Sequence, residues 1–358
     1  MPLSAPASQP ATPLALDLIA LSLTPFGWRR TLGERLRAGE SPRSLLDRWL
    51  SNPRLNKDGT DRRTLVSRAS SAVARAADRG LHLVTWDAAS YPASLAAIAD
   101  PPPALWVRGD PDALTSRAVA IVGSRAGSPY AVAVAERLAG DLASRGILIV
   151  SGLARGVDSA AHRGAIAAGG QTVAVMGCGA DVMYPAEHRD LAGGIERAGA
   201  IVSELVPGTP PQQQFFPLRN RIISGLSRAV LIVEAGERSG SLITARCALD
   251  QGREVLAVPG NVLAGRNRGG HALIKDGAKI VETADDILEE LGLPCTGTRS
   301  PNAPEDPVLA GLPAGEPCDL DVIAERTGLT TARLLPRLFE LELAGLIRRV
   351  GGGRFTRI

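Results

Sequence analysis

Residues 118–125 read Ala-Val-Ala-Ile-Val-Gly-Ser-Arg, and this stretch decides the fold. A short apolar run such as 118–122 is typical of a strand that is buried on both faces of a parallel sheet. Glycine and serine end the strand, and apolar residues at helical spacing follow from Ser128. The turn therefore opens onto a helix N-terminus, where unpaired backbone N–H groups and the positive end of the helix dipole favour an anion.

The same succession of strand, small-residue turn and helix recurs along the chain. Because strands alternate with helices, we expect an α/β fold with a doubly wound, mostly parallel, Rossmann-like sheet. The turns after the strands then lie at one edge of the sheet, where such folds bind ligands, and phosphate is the first ligand to test. The further strands end at Ser151-Gly152, Gly177-Cys178-Gly179, Ser203-Glu204, Glu234-Ala235-Gly236 and Pro259-Gly260.

The segments on either side of this core differ in character. Residues 1–13 are rich in Pro, Ala and Ser and are predicted to form a disordered tail. Residues 14–80 show helical periodicity and predict a small helical module of the SAM or helix-hairpin-helix type. Residues 81–293 form the extended Rossmann-like domain, whose first two short strands we expect to join the sheet. Residues 294–316 are predicted to be a linker, and 317–358 a winged helix.

Composition narrows the possible functions. The 358 residues are 45% hydrophobic and 22% charged, so the chain can bury a sizeable core. A net charge of +3 means that any nucleic-acid contact must come from a local patch. The four cysteines show no CxxC pair or metal-ligand spacing, so we expect no metal and no cofactor, and a reduced cytoplasmic protein fits. From the sequence we expect neither a signal peptide nor a membrane anchor or span.

The segment 210–227 is the most informative loop, because it combines two adjacent phenylalanines with an Arg-Asn-Arg sequence. We expect Phe215 to cap the core. For Phe216 two interpretations stay open, capping the core or stacking on a base, since an exposed aromatic ring beside arginines is a stacking platform.

Three arginines could each bind phosphate or pair with carboxylates such as Glu204 and Glu234. They are Arg125, Arg219 and Arg221, of which Arg125 lies in the first strand-to-helix turn, where a guanidinium supplements backbone N–H groups.

Two other groups of polar residues have a structural and a functional interpretation. Asp158 and His162 lie four apart on one helical face, but no third ligand or nucleophile accompanies them, so we expect a buried polar contact rather than a metal or acid–base site. Ser239-Gly240-Ser241 either caps a helix or holds a phosphate.

In the C-terminal segment, six arginines stand against two glutamates from Arg333 onward, which permits DNA contact. The second helix is mostly leucine, however, so docking of a protein or of a second copy stays equally open.

Several of these segments, in order along about half of the chain, resemble the DNA-processing protein A (DprA, also called Smf) family. Their combination is specific, whereas Gly-Ser-Arg alone is not. The matching segments are residues 120–125 (Ala-Ile-Val-Gly-Ser-Arg), 151–158 (Ser-Gly-Leu-Ala-Arg-Gly-Val-Asp), 216–227 (Phe-Pro-Leu-Arg-Asn-Arg-Ile-Ile-Ser-Gly-Leu-Ser), 239–245 (Ser-Gly-Ser-Leu-Ile-Thr-Ala) and 257–260 (Ala-Val-Pro-Gly).

The resemblance implies a dimeric, non-enzymatic cytoplasmic protein of natural transformation. Such a protein binds and protects incoming single-stranded DNA and loads a RecA-type recombinase. Many relatives have a lysine a few residues before the loop aromatic, where this chain has Gln212 to Gln214, so we expect one phosphate contact to be either missing or supplied elsewhere, for instance by Arg155 or Lys275. The predicted single-strand site is Gly123, Ser124, Arg125, Ser151, Gly152, Arg155, Phe216, Arg219, Asn220, Arg221, Ser239, Gly240, Ser241 and Lys275.

Two alternatives remain. The first is a nucleotide-processing enzyme of the phosphoribohydrolase type, whose expected Pro-Gly-Gly-x-Gly-Thr-x-x-Glu loop is replaced here by residues 234–241 without the final glutamate. The second is an assembly adaptor in which the winged helix binds double-stranded DNA or a protein partner.

Overall fold

A computed structural model describes residues 11–294, 306–313, 316–343, 346–350 and 353–357. The chain divides into two compact units, Met1–Cys295 and Thr296–Ile358. Residues 1–10 of the predicted tail lie outside the described residues, and the first helix begins at Pro13.

The described part of the first unit is built on a nine-stranded sheet in the order β1-β2-β6-β5-β4-β3-β7-β8-β9. The prediction of a mostly parallel sheet is confirmed, since only β2 runs antiparallel to its neighbours β1 and β6. The strands are β1 (His82–Thr85), β2 (Ala104–Gly109), β3 (Ala118–Val122), β4 (Leu148–Ser151), β5 (Thr172–Val175), β6 (Gly199–Ser203), β7 (Ala229–Ile232), β8 (Glu254–Ala257) and β9 (Lys279–Ile280).

Strand β3 lies inside this sheet, between β4 and β7, and is buried along its whole length. Ala118, Ala120 and Val122 belong to the core on one face, whereas Val119 and Ile121 belong to the core on the other. Helices cover both faces, which explains why the strand is apolar at every position rather than at alternate ones.

Several helices of the first unit begin where a polar side chain accepts a hydrogen bond from one of their first N–H groups. Ser128 caps the helix after β3, and Thr283 forms a capping box with Asp286. The helices are α1 (Pro13–Ser22), α2 (Phe26–Arg29), α3 (Leu32–Arg37), α4 (Pro42–Leu50), α5 (Arg62–Asp78), α6 (Ala93–Ala96), α7 (Pro129–Ala143), α8 (Val157–Ala167), α9 (Arg189–Ala198), α10 (Phe215–Leu226), α11 (Ser241–Asp250), α12 (Arg268–Lys275) and α13 (Ala284–Glu290), with 3-10 turns at Pro111–Thr115 and Ala186–His188.

Helices α1 to α5 form the predicted N-terminal helical module, which packs directly against the loop before α10. The Arg75 guanidinium donates a hydrogen bond to the Pro207 carbonyl at 2.8 Å. Arg79 forms an ion pair with Asp181, whose carboxylate also accepts a hydrogen bond from the Gly208 N–H. The loop is therefore held from the side of the helical module.

The second unit contains helices α14 (Pro307–Gly311), α15 (Leu320–Thr327) and α16 (Thr331–Leu343), and a hairpin of β10 (Ile347–Val350) and β11 (Arg354–Arg357). Helix α14 lies inside the segment 294–316, where the sequence predicts only linker. It is ordered because Val308 and Leu312 are buried in the core of this unit, a contact too short to give a detectable apolar period. None of the helices that the structure describes is long and apolar enough to span a bilayer.

Candidate nucleic-acid interface

An open cavity of about 800 Å³ lies at the carboxyl ends of β3 and β7. The chain leaves β3 towards β4, β5 and β6 on one side and returns to β7 on the other, so the cavity occupies the point where the winding direction of the sheet reverses. Ligands of doubly wound sheets bind at such a point. Nine of the predicted site residues line this cavity, namely Gly123, Ser124, Arg125, Phe216, Arg219, Asn220, Ser239, Gly240 and Ser241.

Arg125 and Phe216 lie against each other in the lining of the cavity. The Arg125 side chain is exposed, and its Cζ lies 5.5 Å from the centroid of the half-buried Phe216 ring. Among the described residues, no hydrogen bond or ion pair holds its guanidinium, so it is available to an anion. The Tyr184 ring also contacts the Phe216 ring, and the centroids of the two rings are 5.4 Å apart. Phe215 turns away and packs against Phe26 of the helical module at 6.3 Å.

Glycine is required directly behind the Phe216 ring. A Cβ at Gly177 would lie 2.8 Å from Cδ1 of that ring, closer than side chains pack, so any larger residue would displace the aromatic platform.

The backbone amides of the first turn are largely occupied by the protein's own acceptors. The Ser124 N–H donates to the Glu234 carbonyl at 2.7 Å, and Ser128 donates its N–H and hydroxyl to the Glu234 carboxylate. Asp158 interacts with the N–H groups of Gly123 and Gly152. The predicted anion-binding role of the Gly123 and Ser124 amides is therefore corrected, because these amides already have acceptors within the protein.

Arg219 and Asn220 form the floor of the cavity. The buried Arg219 guanidinium donates hydrogen bonds to the carbonyls of Gly152 and Val175. Burial lowers the pKa of Arg219, although Asp158, 4.0 Å away, opposes this effect. Asn220 accepts a hydrogen bond from Arg219 Nε at 3.2 Å. Both side chains thus support the cavity from below, and a Cβ at Gly152 would collide with the Arg219 guanidinium.

Arg221 does not line the cavity, contrary to the prediction. Its side chain is buried and forms a bidentate ion pair with Glu204, with nitrogen–oxygen distances of 3.1 and 2.8 Å, and a second pair with Asp100 at 3.0 Å. Burial opposes the charged form, but these two carboxylates outweigh it and raise the pKa of Arg221. The alternative of pairing with carboxylates therefore holds for this arginine.

The N-terminus of α11 forms the opposite wall. Ser239 and Ser241 share a hydrogen bond between their hydroxyls at 2.8 Å, and Gly240 has no atom within 4 Å of where a Cβ would be. These residues can approach a phosphate closely. Ser151 cannot, because it is fully buried and donates its hydroxyl to the Ile121 carbonyl at 2.7 Å, which corrects the prediction for that residue.

The two cations expected to replace the loop lysine lie elsewhere. Arg155 lines a smaller recess of about 80 Å³ beside Phe216 and pairs with the exposed Glu187. Lys275 is exposed at the end of α12 and lines none of the cavities described here. The exposed Arg238 lines the main cavity instead. The sequence pattern does not single out Arg238, although this residue directly precedes Ser239-Gly240-Ser241.

Asp158 and His162 make buried polar contacts, as expected. Burial raises the pKa of Asp158, against the opposing effects of Arg219 and the neighbouring amides. Because Thr172 donates its hydroxyl to the Ile149 carbonyl, it accepts from His162 Nδ1–H at 2.7 Å. Burial lowers the pKa of His162 to about 3, so the ring is neutral. Among the described residues, no group of three or more His, Cys, Asp or Glu could hold a metal ion.

Comparison with known proteins gives consistent matches. Residues 82–292 match the family model for DNA recombination-mediator protein A, and residues 294–353 match the DprA winged helix domain. Protein Smf of Escherichia coli (strain K12) is 45% identical over 285 residues, which are 76% of this chain and 76% of Smf. DNA processing protein DprA of Streptococcus pneumoniae (strain ATCC BAA-255 / R6) is 45% identical over 200 residues, 56% of this chain and 71% of DprA.

Two solved structures resemble the chain. The X-ray structure of DNA processing protein A from Streptococcus pneumoniae has a TM-score of 0.65 and 34% identity, covering 79% of this chain and 99% of that one. A structure of the Helicobacter pylori protein, described for its single-stranded DNA binding mode, has a TM-score of 0.54 and 29% identity, covering 60% of this chain and 97% of that one. The chain therefore belongs to the DNA recombination-mediator protein A family, whose members include the proteins named DprA and Smf.

Proposed function

We propose that the cavity at the carboxyl ends of β3 and β7 binds single-stranded DNA. The observation that carries this proposal is the exposed Arg125 guanidinium, free of ion pairs to described residues, set against the Phe216 ring in an open cavity of about 800 Å³. A guanidinium binds phosphate through paired hydrogen bonds, and an aromatic face stacks on a base of any sequence. Stacking of this kind requires unpaired bases, which favours a single strand over a duplex.

The Helicobacter pylori relative supports the same ligand, because its structure concerns a single-stranded DNA binding mode. By family membership we further propose that the chain forms a homodimer, protects incoming DNA in the cytoplasm during natural transformation and passes it to a RecA-type recombinase. In this role the protein is a mediator rather than an enzyme.

The nucleotide-processing alternative gains no support from the cavity. Asp158 is the one carboxylate among the described residues that line it, and it is held by Arg219 and backbone amides. Release of free base from a nucleoside monophosphate by the purified protein would reinstate this alternative.

The winged helix has a different surface chemistry. Leu335 and Phe339 lie four residues apart on α16 and are 47% and 61% exposed. Apolar side chains cannot read the donors and acceptors of base edges, so we propose that this helix docks a protein.

Deleting residues 294–358 should leave the affinity for single strands within about twofold of wild type. A loss above about tenfold (1.4 kcal/mol) would instead support the adaptor alternative.

The proposed site is tested by Arg125→Ala, with Arg137→Ala as a matched control. Arg137 is an exposed arginine on α7 with only a 3.8 Å pairing to Asp141, so both variants remove one surface charge. Binding of an oligothymidylate is measured at several salt concentrations. Arg125→Ala should bind more weakly and with a salt slope shallower by about 0.7, the value for one phosphate contact on a single strand. Equal affinities and slopes for the two variants would rule out Arg125 as a phosphate contact.

A further inference from the structure

A second cavity, of about 690 Å³, lies beside the first along the same edge of the sheet. It lies where β7 and β8 end and where α7 begins. Its size approaches that of the first cavity, and both fall in the range of ligand sites. The residues that matter here are Ser128, Tyr130, Glu234, Pro259 and Arg266, all of which line it.

The two cavities share a wall that a single arginine spans. Arg266 lines the second cavity, and its Nη1 donates a hydrogen bond at 3.2 Å to the carbonyl of Ala126, which lines the first. The Arg266 side chain is exposed, and this is the one hydrogen bond that its guanidinium makes to described residues. Its remaining donors are therefore available at the boundary between the cavities.

Tyr130 gives the second cavity an aromatic surface comparable to Phe216 in the first. It is 54% exposed, yet its hydroxyl donates a hydrogen bond to the Pro259 carbonyl at 3.1 Å. A ring that is anchored at its hydroxyl and open on its face loses little conformational entropy when a base stacks on it.

The carboxylate in this cavity does not oppose an incoming strand strongly. Glu234 is buried, and its two oxygens accept hydrogen bonds from the N–H and the hydroxyl of Ser128 at 3.1 and 2.6 Å. The negative charge of Glu234 therefore lies at the N-terminus of α7, where the positive end of the helix dipole stabilises it.

We propose that one single strand occupies both cavities in succession, with Arg266 contacting the phosphate between them and Tyr130 stacking on a base in the second. This inference rests on the proposed function, because it extends the same bound strand. Each cavity thereby offers one exposed guanidinium and one aromatic ring, Arg125 with Phe216 in the first and Arg266 with Tyr130 in the second.

The test is a length series of oligothymidylates from about 4 to about 16 nucleotides, the range of site sizes known for single-strand binding folds. Wild-type protein is compared with Tyr130→Ala, Tyr130→Phe and Arg266→Ala, and the folded state of each is checked by thermal unfolding. Tyr130→Phe is the matched control, because it keeps the ring and removes only the hydroxyl.

On the longest oligonucleotide, Tyr130→Ala should weaken binding about 5- to 150-fold, the loss of one stacked base, whereas Tyr130→Phe should stay close to wild type. Arg266→Ala should reduce the salt slope by about 0.7 on long oligonucleotides. On the shortest oligonucleotide, which the first cavity alone can hold, all three variants should match wild type.

Wild-type affinity of both alanine variants for every length would overturn the inference. Equal weakening at every length would also overturn it, because the second cavity would then not be a separate segment of the path. Loss of thymidine monophosphate binding in Tyr130→Ala with unchanged long-strand affinity would identify an independent nucleotide site instead. Failure of the proposed function itself has a different signature, namely an Arg125→Ala variant that equals wild type at all lengths.

Discussion

Replacing Phe216 with leucine should weaken single-strand binding by a predictable amount. Leucine keeps apolar bulk at the mouth of the cavity but has no π-face. Stacking of a base on an aromatic ring contributes about 1–3 kcal/mol. In the free protein the Arg125 guanidinium lies 5.5 Å from the ring centroid, a contact that is worth about 0.5–1 kcal/mol at an exposed site and that an incoming base must displace.

The net loss in Phe216→Leu is therefore about 0.5–2 kcal/mol, or about 2- to 30-fold in Kd. The salt slope should not change, because no phosphate contact is removed. Fluorescence anisotropy with a labelled oligothymidylate at several salt concentrations measures both quantities.

The neighbouring phenylalanine provides the control for this experiment. Phe215 packs against Phe26 instead of facing the cavity, so Phe215→Leu should bind like wild type. Phe216→Tyr, which keeps the ring, should also retain most of the affinity. If Phe216→Leu binds as tightly as wild type, or if Phe215→Leu is weakened equally, base stacking on Phe216 is refuted.

Three further variants separate stability from binding. Arg221→Ala removes the bidentate ion pair of the buried Glu204 carboxylate, so the free energy of unfolding measured by denaturant titration should fall by about 3–5 kcal/mol. The affinity of the folded protein for a single strand should not change. A loss of affinity without a loss of stability would contradict the structural role assigned to Arg221. His162, with its pKa lowered to about 3 by burial, binds fewer protons folded than unfolded between pH 3 and 6.5. The free energy of unfolding should therefore fall as the pH drops through that window, by about 2 kcal/mol at pH 5. In His162→Gln the free energy of unfolding should depend less on pH. The same pH dependence in wild type and variant would argue against a neutral His162 ring. Gly177→Ala should weaken strand binding by displacing Phe216, and unaltered binding would show that the ring can shift without cost.

The position of the candidate cavity could be predicted from the sequence because apolar runs mark buried strands and small residues mark their ends. The turn at residues 123–125 and the loop before α10 accordingly fall at one edge of the sheet, as predicted. The pattern could not show which acceptors occupy the amides of that turn, because the partners Asp158 and Glu234 come from distant segments and depend on the packing of α8 and β7.

The arginines of α10 also show that a sequence pattern does not reveal the tertiary partners of a side chain. Arg219 and Arg221 are two residues apart on α10, so they point in different directions around the helix. Only the tertiary packing places Arg219 beneath the cavity and Arg221 against Glu204. Arg238 was missed for a related reason, since an isolated arginine in a polar loop has no distinguishing periodicity.

The contact between the N-terminal helical module and the loop at residues 207–214 has a practical consequence. Arg75 and Arg79 hold this loop through Pro207 and Asp181, and the loop leads directly into Phe216. A protein shortened to its Rossmann-like domain would keep every residue of the cavity but would lose Arg75 and Arg79. The loop at residues 207–214 would then have to become ordered when DNA binds. Part of the binding energy would then be spent on ordering that loop, so measurements on the shortened protein should underestimate the affinity of the whole chain.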